Sequence, residues 1–207
     1  MSIKNIIFDM GMVMLWFDPD RSTKMLTDDP EIIREIHNTL YFSQEWVMMD
    51  AGFIPEEEAM RRILPRLSSD RVRDIARESF KNWDRQNLIP REDMGELVRE
   101  LKKRGMGIYL LSNVSLRFAK EAMKLIPAAE CFDGMVFSSV EKLLKPQKEI
   151  YERLLERYGL NPEECVFIDD SRANVLAAEA LGIHGYCFAD GDIGKLREHL
   201  LSLMEER

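Results

Sequence analysis

Four short stretches of this chain carry side chains that could do chemistry together. The first is Asp9, which ends the apolar run Ile3-Lys4-Asn5-Ile6-Ile7-Phe8 and stands two residues before Gly11. Such a run reads as a strand buried on both faces. Its carboxyl end is where ligands sit in open α/β sheets. An aspartate there is a candidate nucleophile or metal ligand, although a lone Asp-x-Gly is also a common turn. A second stretch, Val166-Phe167-Ile168, ends in Asp169-Asp170. Adjacent carboxylates at the end of a buried strand repel each other and are costly without a cation. A hard divalent ion with oxygen ligands, above all Mg²⁺, resolves that cost. The third stretch, Ile108-Tyr109-Leu110-Leu111, ends in Ser112-Asn113. Ser112 is placed either to hydrogen-bond a phosphoryl oxygen or to cap the helix that follows from about Ser115. The fourth is Lys145-Pro146, a point charge for a phosphate ahead of a helix whose first turn would hold Pro146.

Positioning these groups needs parallel strands. From about residue 93 onward, strand and helix patterns alternate, with strands ending near Leu111, Phe137, Ile168 and Phe188. That alternation predicts a doubly wound parallel α/β sheet. The stretch from about Asp18 to Asn87 reads differently. Ile32, Ile33 and Ile36, then Ala59, Met60 and Ile63, then Val72, Ile75, Ala76 and Phe80 recur at helical spacing with little strand signal. The expectation is a core of residues 1–15 and 89–207 and an all-helical cap of residues 16–88, inserted after the first strand. Trp46, Trp83 and Met48-Met49 read as the core of that insert. Glu56-Glu57-Glu58 after Pro55 reads as a helix first turn favoured by the dipole. His37, His184 and His199 are scattered, without visible partners.

In this order, Asp9, Ser112, Lys145 and the set Asp169-Asp170…Asn174 resemble the four motifs of the haloacid dehalogenase-like hydrolases. The Phe8-Asp9-Met10-Gly11 start resembles that of some sugar-phosphate phosphatases within the superfamily. The resemblance implies Mg²⁺ held by Asp9, the backbone carbonyl of Gly11 and Asp170. Asp169 would ligate through water or hold Lys145. It also implies nucleophilic attack by Asp9 on a small phosphorylated metabolite, giving an aspartyl-phosphate. Ser112 and Asn113 would bind the phosphoryl group, and Lys145 would balance charge. Two positions depart from the pattern. Most phosphatase members carry a general acid–base aspartate where this chain has Gly11, and a glycine often stands where it has Lys142. Without the acid, the chain is expected to favour phosphates on stable leaving groups, such as anomeric sugar, acyl or aryl phosphates. The rivals are a dehalogenase acting on a small 2-haloacid without Mg²⁺, and a catalytically weak phosphate-ligand binder or regulatory protein.

Composition sets outer limits. A chain of 207 residues with 45% hydrophobic content can bury a sizeable core. The net charge of −8 argues against nucleic acid or an anionic membrane as partner. No apolar run approaches the roughly 18 residues of a membrane helix. Cys131, Cys165 and Cys187 lack metal spacing, and Cys165 and Cys187 read as buried thiols. An odd count without a signal peptide predicts a reducing, cytoplasmic setting. Monomer and homodimer remain equally open.

Overall fold

The computed structural model describes residues 3–205. Seven strands occur among them: β1 (Asn5–Phe8), β2 (Leu15–Phe17), β3 (Leu88–Pro90), β4 (Gly107–Ser112), β5 (Gly134–Phe137), β6 (Cys165–Asp169) and β7 (His184–Cys187). Five of these form a parallel sheet in the order β5-β4-β1-β6-β7. In β1, Ile6, Ile7 and Phe8 are at most 1% exposed. That burial requires neighbours on both edges and both faces. β4 and β6 cover the edges, with Ile6 opposite Ile108 and Val166, and Phe8 opposite Leu110 and Ile168.

The faces follow the period of two. Ile6 and Phe8 join Met94, Leu97 and Leu101 of helix Glu92–Lys103, Phe118 of helix Leu116–Leu125 and Leu196 of helix Ile193–Glu205. On the other face Ile7 joins Ile150, Tyr151 and Leu154 of helix Lys148–Tyr158 and Ala178 of helix Arg172–Glu179. Each such side chain contributes about 1.5–3 kcal/mol on burial. The sheet is thus a stiff support, and Asp9, Ser112 and Asp169 all stand at its carboxyl edge. The chain runs from β1 outward through β4 to β5, then crosses back to β6 and β7 on the other side of β1, which makes this edge a topological switch point.

Helices fill most of the stretch between β1 and β4. Asp29 caps helix Pro30–Ile36, accepting from the amides of Glu31 and Ile32, and Pro30 takes the first turn. Ser69 caps the long helix Asp70–Gln86 through the amide of Val72. Apolar side chains of this insert, among them Ile36, Ala59, Ala76 and Phe80, belong to the same continuous core as one face of the sheet.

Several details differ from the sequence reading. β2 and β3 pair as a short antiparallel ribbon at the stem of the insert, Trp16 opposite Ile89, where no strand was expected. The helix after Lys145 starts at Lys148 with Gln147 as its cap, so Pro146 precedes it. The left-handed residue in the turn after Asp9 is Met12, at φ 58, and not Gly11. Cys187 is only half-buried, because β7 is an edge strand. His37 does have a partner, with Nδ1 lying 2.7 Å from Oδ1 of Asp20.

Candidate active site

The main chain of Asp9 extends the ladder beyond β1, donating to the carbonyl of Ile168 over 2.8 Å. Its side chain therefore emerges beside the end of β6. Lys145 reaches the same point from the loop before helix Lys148–Tyr158. Its Nζ lies 2.7 Å from Asp9 Oδ1 and donates to Asp169 Oδ2 over 2.6 Å. Both Lys145 and Asp169 are almost wholly buried, so this ion pair is poorly screened by solvent.

Asp169 is fully committed. Besides Lys145 it accepts from the Ser171 amide at 2.8 Å and, on both oxygens, from Asn174 Nδ2 at 3.1 Å. It serves to hold Lys145 and Asn174. Asp9 is not saturated in this way. Its Oδ1 faces the lysine charge but accepts no well-aligned hydrogen bond, although it is buried. Burial pushes the Asp9 carboxyl up to about 6, with Asp169 adding to the rise and Lys145 opposing it. Burial also raises Asp170, again with Asp169 behind it. For Lys145 burial works against the charge, and the two carboxylates outweigh it, leaving the pKa above the usual lysine value.

Asn113 has a role that its type did not reveal. Its Oδ1 accepts from the Lys145 amide at 2.9 Å and its Nδ2 donates to the Lys145 carbonyl at 3.0 Å. The side chain is a clamp on the lysine backbone, so little of it is left to bind substrate. Ser112 is buried at the end of β4 and lines the pocket.

Asp9, Gly11, Ser112, Asn113, Lys145, Asp170 and Asn174 line a single pocket of roughly 230 Å³. Asp169 lies beneath it, bonded to Lys145. The pocket's other wall comes from the insert and its ribbon: Phe17, Trp46, Asp50, Trp83 and Leu88. Trp46 and Trp83, expected as core of the insert, thus face the pocket as well as each other, with rings 5.0 Å apart. Asp50 was not singled out in the sequence at all. The only signal it offered is its place at the carboxyl end of helix Gln44–Asp50, which has no basic residue in its last turn.

Insert and sheet are fastened together around this pocket. Ser138 Oγ donates to the Asp50 carbonyl at 2.5 Å. Arg117 Nε donates to Glu56 Oε2 at 3.0 Å, and its Nη1 to the Phe80 carbonyl at 3.1 Å. Gly52, at φ 67, packs so closely on Ser139 that a Cβ would stand 2.2 Å from its carbonyl oxygen. By contrast, a Cβ on Gly11 would meet nothing within 4 Å.

Comparison with known proteins agrees with this architecture. The family model of the haloacid dehalogenase-like hydrolases matches residues 31–182. A sesquiterpene phosphatase, astK of Aspergillus oryzae, is 27% identical over 91% of this chain and 91% of its own length. A haloacid dehalogenase family enzyme of Bacteroides thetaiotaomicron, solved with magnesium and inorganic phosphate, superposes with a TM-score of 0.69. It is 26% identical, and the match covers 89% of this chain and 93% of that one. A predicted hydrolase of the same type from Porphyromonas gingivalis shares the fold over 100% of both chains, at 24% identity and a TM-score of 0.74.

Proposed function

The chain belongs to the haloacid dehalogenase-like hydrolase family, and from that premise we propose that it is a Mg²⁺-dependent phosphatase of small phosphorylated metabolites, working through an aspartyl-phosphate on Asp9. The observation that carries this reading is the charge of the site. Asp9, Asp169 and Asp170 bring carboxylate oxygens within 4.8 Å of one another. When ionised, three carboxylates against the single ammonium of Lys145 leave two negative charges uncompensated. A doubly charged ion with oxygen ligands matches that remainder. Asp9 and Asp170 both line the pocket where such an ion would sit.

Asp9, the Gly11 carbonyl and Asp170 would hold the ion, with Asp169 behind them. Bound there, Mg²⁺ supplies charge neutralisation for a phosphate dianion approaching a carboxylate. Asp9 then attacks phosphorus in line, and the bond to the ester oxygen breaks. Lys145 keeps the nucleophile oriented and offsets charge on the phosphoryl oxygens. Ser112 donates to one of those oxygens. Water afterwards cleaves the aspartyl-phosphate and releases phosphate.

The dehalogenase reading fits less well. A 2-haloacid carries its own carboxylate and would meet three more without a compensating ion. The pocket also bears on the substrate. Phe17, Trp46, Trp83, Leu88 and Val114 suit an ester whose alcohol is apolar or planar, and a sugar would enter by stacking on the indoles. The similarity to a sesquiterpene phosphatase supports the apolar choice. The test is phosphate release from a panel of terpenyl, aryl and sugar phosphates with Mg²⁺ and with excess EDTA. Chloride release from 2-chloropropionate is measured beside it. EDTA-sensitive phosphate release without chloride release is expected.

A further inference from the structure

Resting on that reading, we propose that Asp50 supplies the proton-transfer function that Gly11 cannot: it protonates the departing alcohol and then activates the hydrolytic water. Asp50 lines the same pocket as Asp9, Ser112 and Lys145, but it comes from the insert rather than the sheet. Its carboxyl has no ion-pair or hydrogen-bond partner among the described residues. It also stands at the negative end of helix Gln44–Asp50, where a carboxylate is disfavoured. Burial pushes its carboxyl well above the usual carboxylate range, the direction that a proton donor needs. The other carboxylate of that helix, Glu45, is already paired with Arg66 at 2.7 Å.

An unpartnered acid in such a place lowers stability, and nothing in the packing of the insert requires it. Its main chain is nevertheless held firmly. Ser138 clamps its carbonyl, and Gly52 sits tight against Ser139 two residues later. A second polar group of the insert is also unpaired, since Trp83 Nε1 is buried without a partner at the same pocket. The unpaired carboxyl on the pocket wall suits a ligand oxygen entering from that side.

The step balances. As the Asp9 oxygen bonds to phosphorus and the ester P–O bond breaks, the Asp50 proton passes to the alcohol oxygen. The Asp50 carboxylate next takes a proton from water while that water's oxygen bonds to phosphorus and the bond to Asp9 breaks. Inorganic phosphate leaves, and Asp50 is protonated again.

The test is kcat/KM with Mg²⁺ over aryl and alkyl phosphates of graded leaving-group pKa, for the wild type, Asp50→Asn, Asp50→Glu and the double variant Gly11→Asp with Asp50→Asn. Wild type should show a shallow dependence, where the absence of an acid at Gly11 alone predicts a marked preference for good leaving groups. Asp50→Asn should steepen it, losing about 10²–10⁴-fold on alkyl phosphates and progressively less as the leaving group improves. It should also give a burst of released alcohol, because hydrolysis of the intermediate slows. Asp50→Glu should recover part of the loss. Gly11→Asp should restore the shallow slope, because there is room for a side chain at that position. Asp50→Asn should melt no lower than wild type at neutral pH, which separates lost chemistry from lost structure. Parallel plots for wild type and Asp50→Asn would overturn this inference while leaving the phosphatase intact. A wild type inert towards every phosphate ester would overturn the phosphatase reading with it.

Discussion

Lys145 touches two carboxylates and is held by two backbone bonds from Asn113, which separates what the charge does from what its placement does. Asp9→Asn should abolish turnover with the fold intact, because an amide is a poor nucleophile and a weaker ligand. Lys145→Ala should be severely impaired, more in kcat than in KM, since its charge matters most as charge moves in the transition state. Asn113→Ala leaves every charge in place and only frees the lysine backbone. It is expected to lower kcat by up to about 10²-fold with little change in KM, as small misplacements do. Steady-state kinetics of the three variants would rank them, and an Asn113→Ala effect confined to KM would instead make Asn113 a substrate contact. Asp9, Asp169 and Asp170 were legible in the sequence because each follows an apolar run that reads as a buried strand, and Lys145 because, with Pro146, it completes the ordered set of motifs. The duty of Asn113 was not legible, because its partner is 32 residues away and is backbone, which carries no side-chain signature. Asp50 was missed for a similar reason: one aspartate near a helix end is ordinary until the fold closes a pocket over it.

The central strands β1, β4 and β6 could be read because burial makes their sequences largely apolar, and the helices of the insert because apolar residues recur at helical spacing. The ribbon of β2 and β3 could not, since three residues are too few for a period and Pro90 reads as a breaker. That ribbon nevertheless decides where the insert stands over Asp9. The junctions beyond it carry two backbone positions whose effects can be separated. Lys142 ends the short helix Ser138–Glu141 at φ 57, a left-handed conformation that costs a side-chain-bearing residue energy and that glycine adopts freely. This explains why a glycine at that point would be usual. Lys142 is exposed and outside the pocket lining, so Lys142→Gly should gain up to about 1 kcal/mol without changing kcat/KM. A denaturant midpoint that falls would refute the assignment of strain. Gly52→Ala should do the opposite. It meets both the left-handed penalty and the Ser139 carbonyl, so it should cost about 1–2 kcal/mol or more and displace the insert, lowering kcat as well as the midpoint.

Across the molecule, most carboxylates with a lowered pKa, among them Glu45, Asp93, Glu100 and Asp133, sit in ion pairs outside the pocket. Those of the pocket are raised instead. The two groups act on stability in opposite senses. A lowered carboxylate binds its proton less tightly in the folded state, so its contribution is present above the ordinary value near about 4 and disappears as pH falls below it. A raised one binds its proton more tightly when folded, so the folded state is favoured at low pH. That advantage is lost as pH climbs from about 4 towards the folded-state value, about 6 for Asp9. Between those limits the unliganded protein should lose stability from its own active site. A divalent cation reverses this, because it binds the ionised carboxylates of the folded state and must displace their protons. Saturation at 100 times Kd would add about 2.7 kcal/mol. The rise in Tm on adding Mg²⁺ should therefore be larger at pH 7 than at pH 5, and Asp170→Ala should remove most of it at both. Differential scanning calorimetry at the two pH values, each with EDTA and with Mg²⁺, measures it. Because the surface ion pairs are the same with and without the ion, the difference between paired scans isolates the pocket. An equal rise at both pH values, surviving in Asp170→Ala, would place the ion away from these carboxylates.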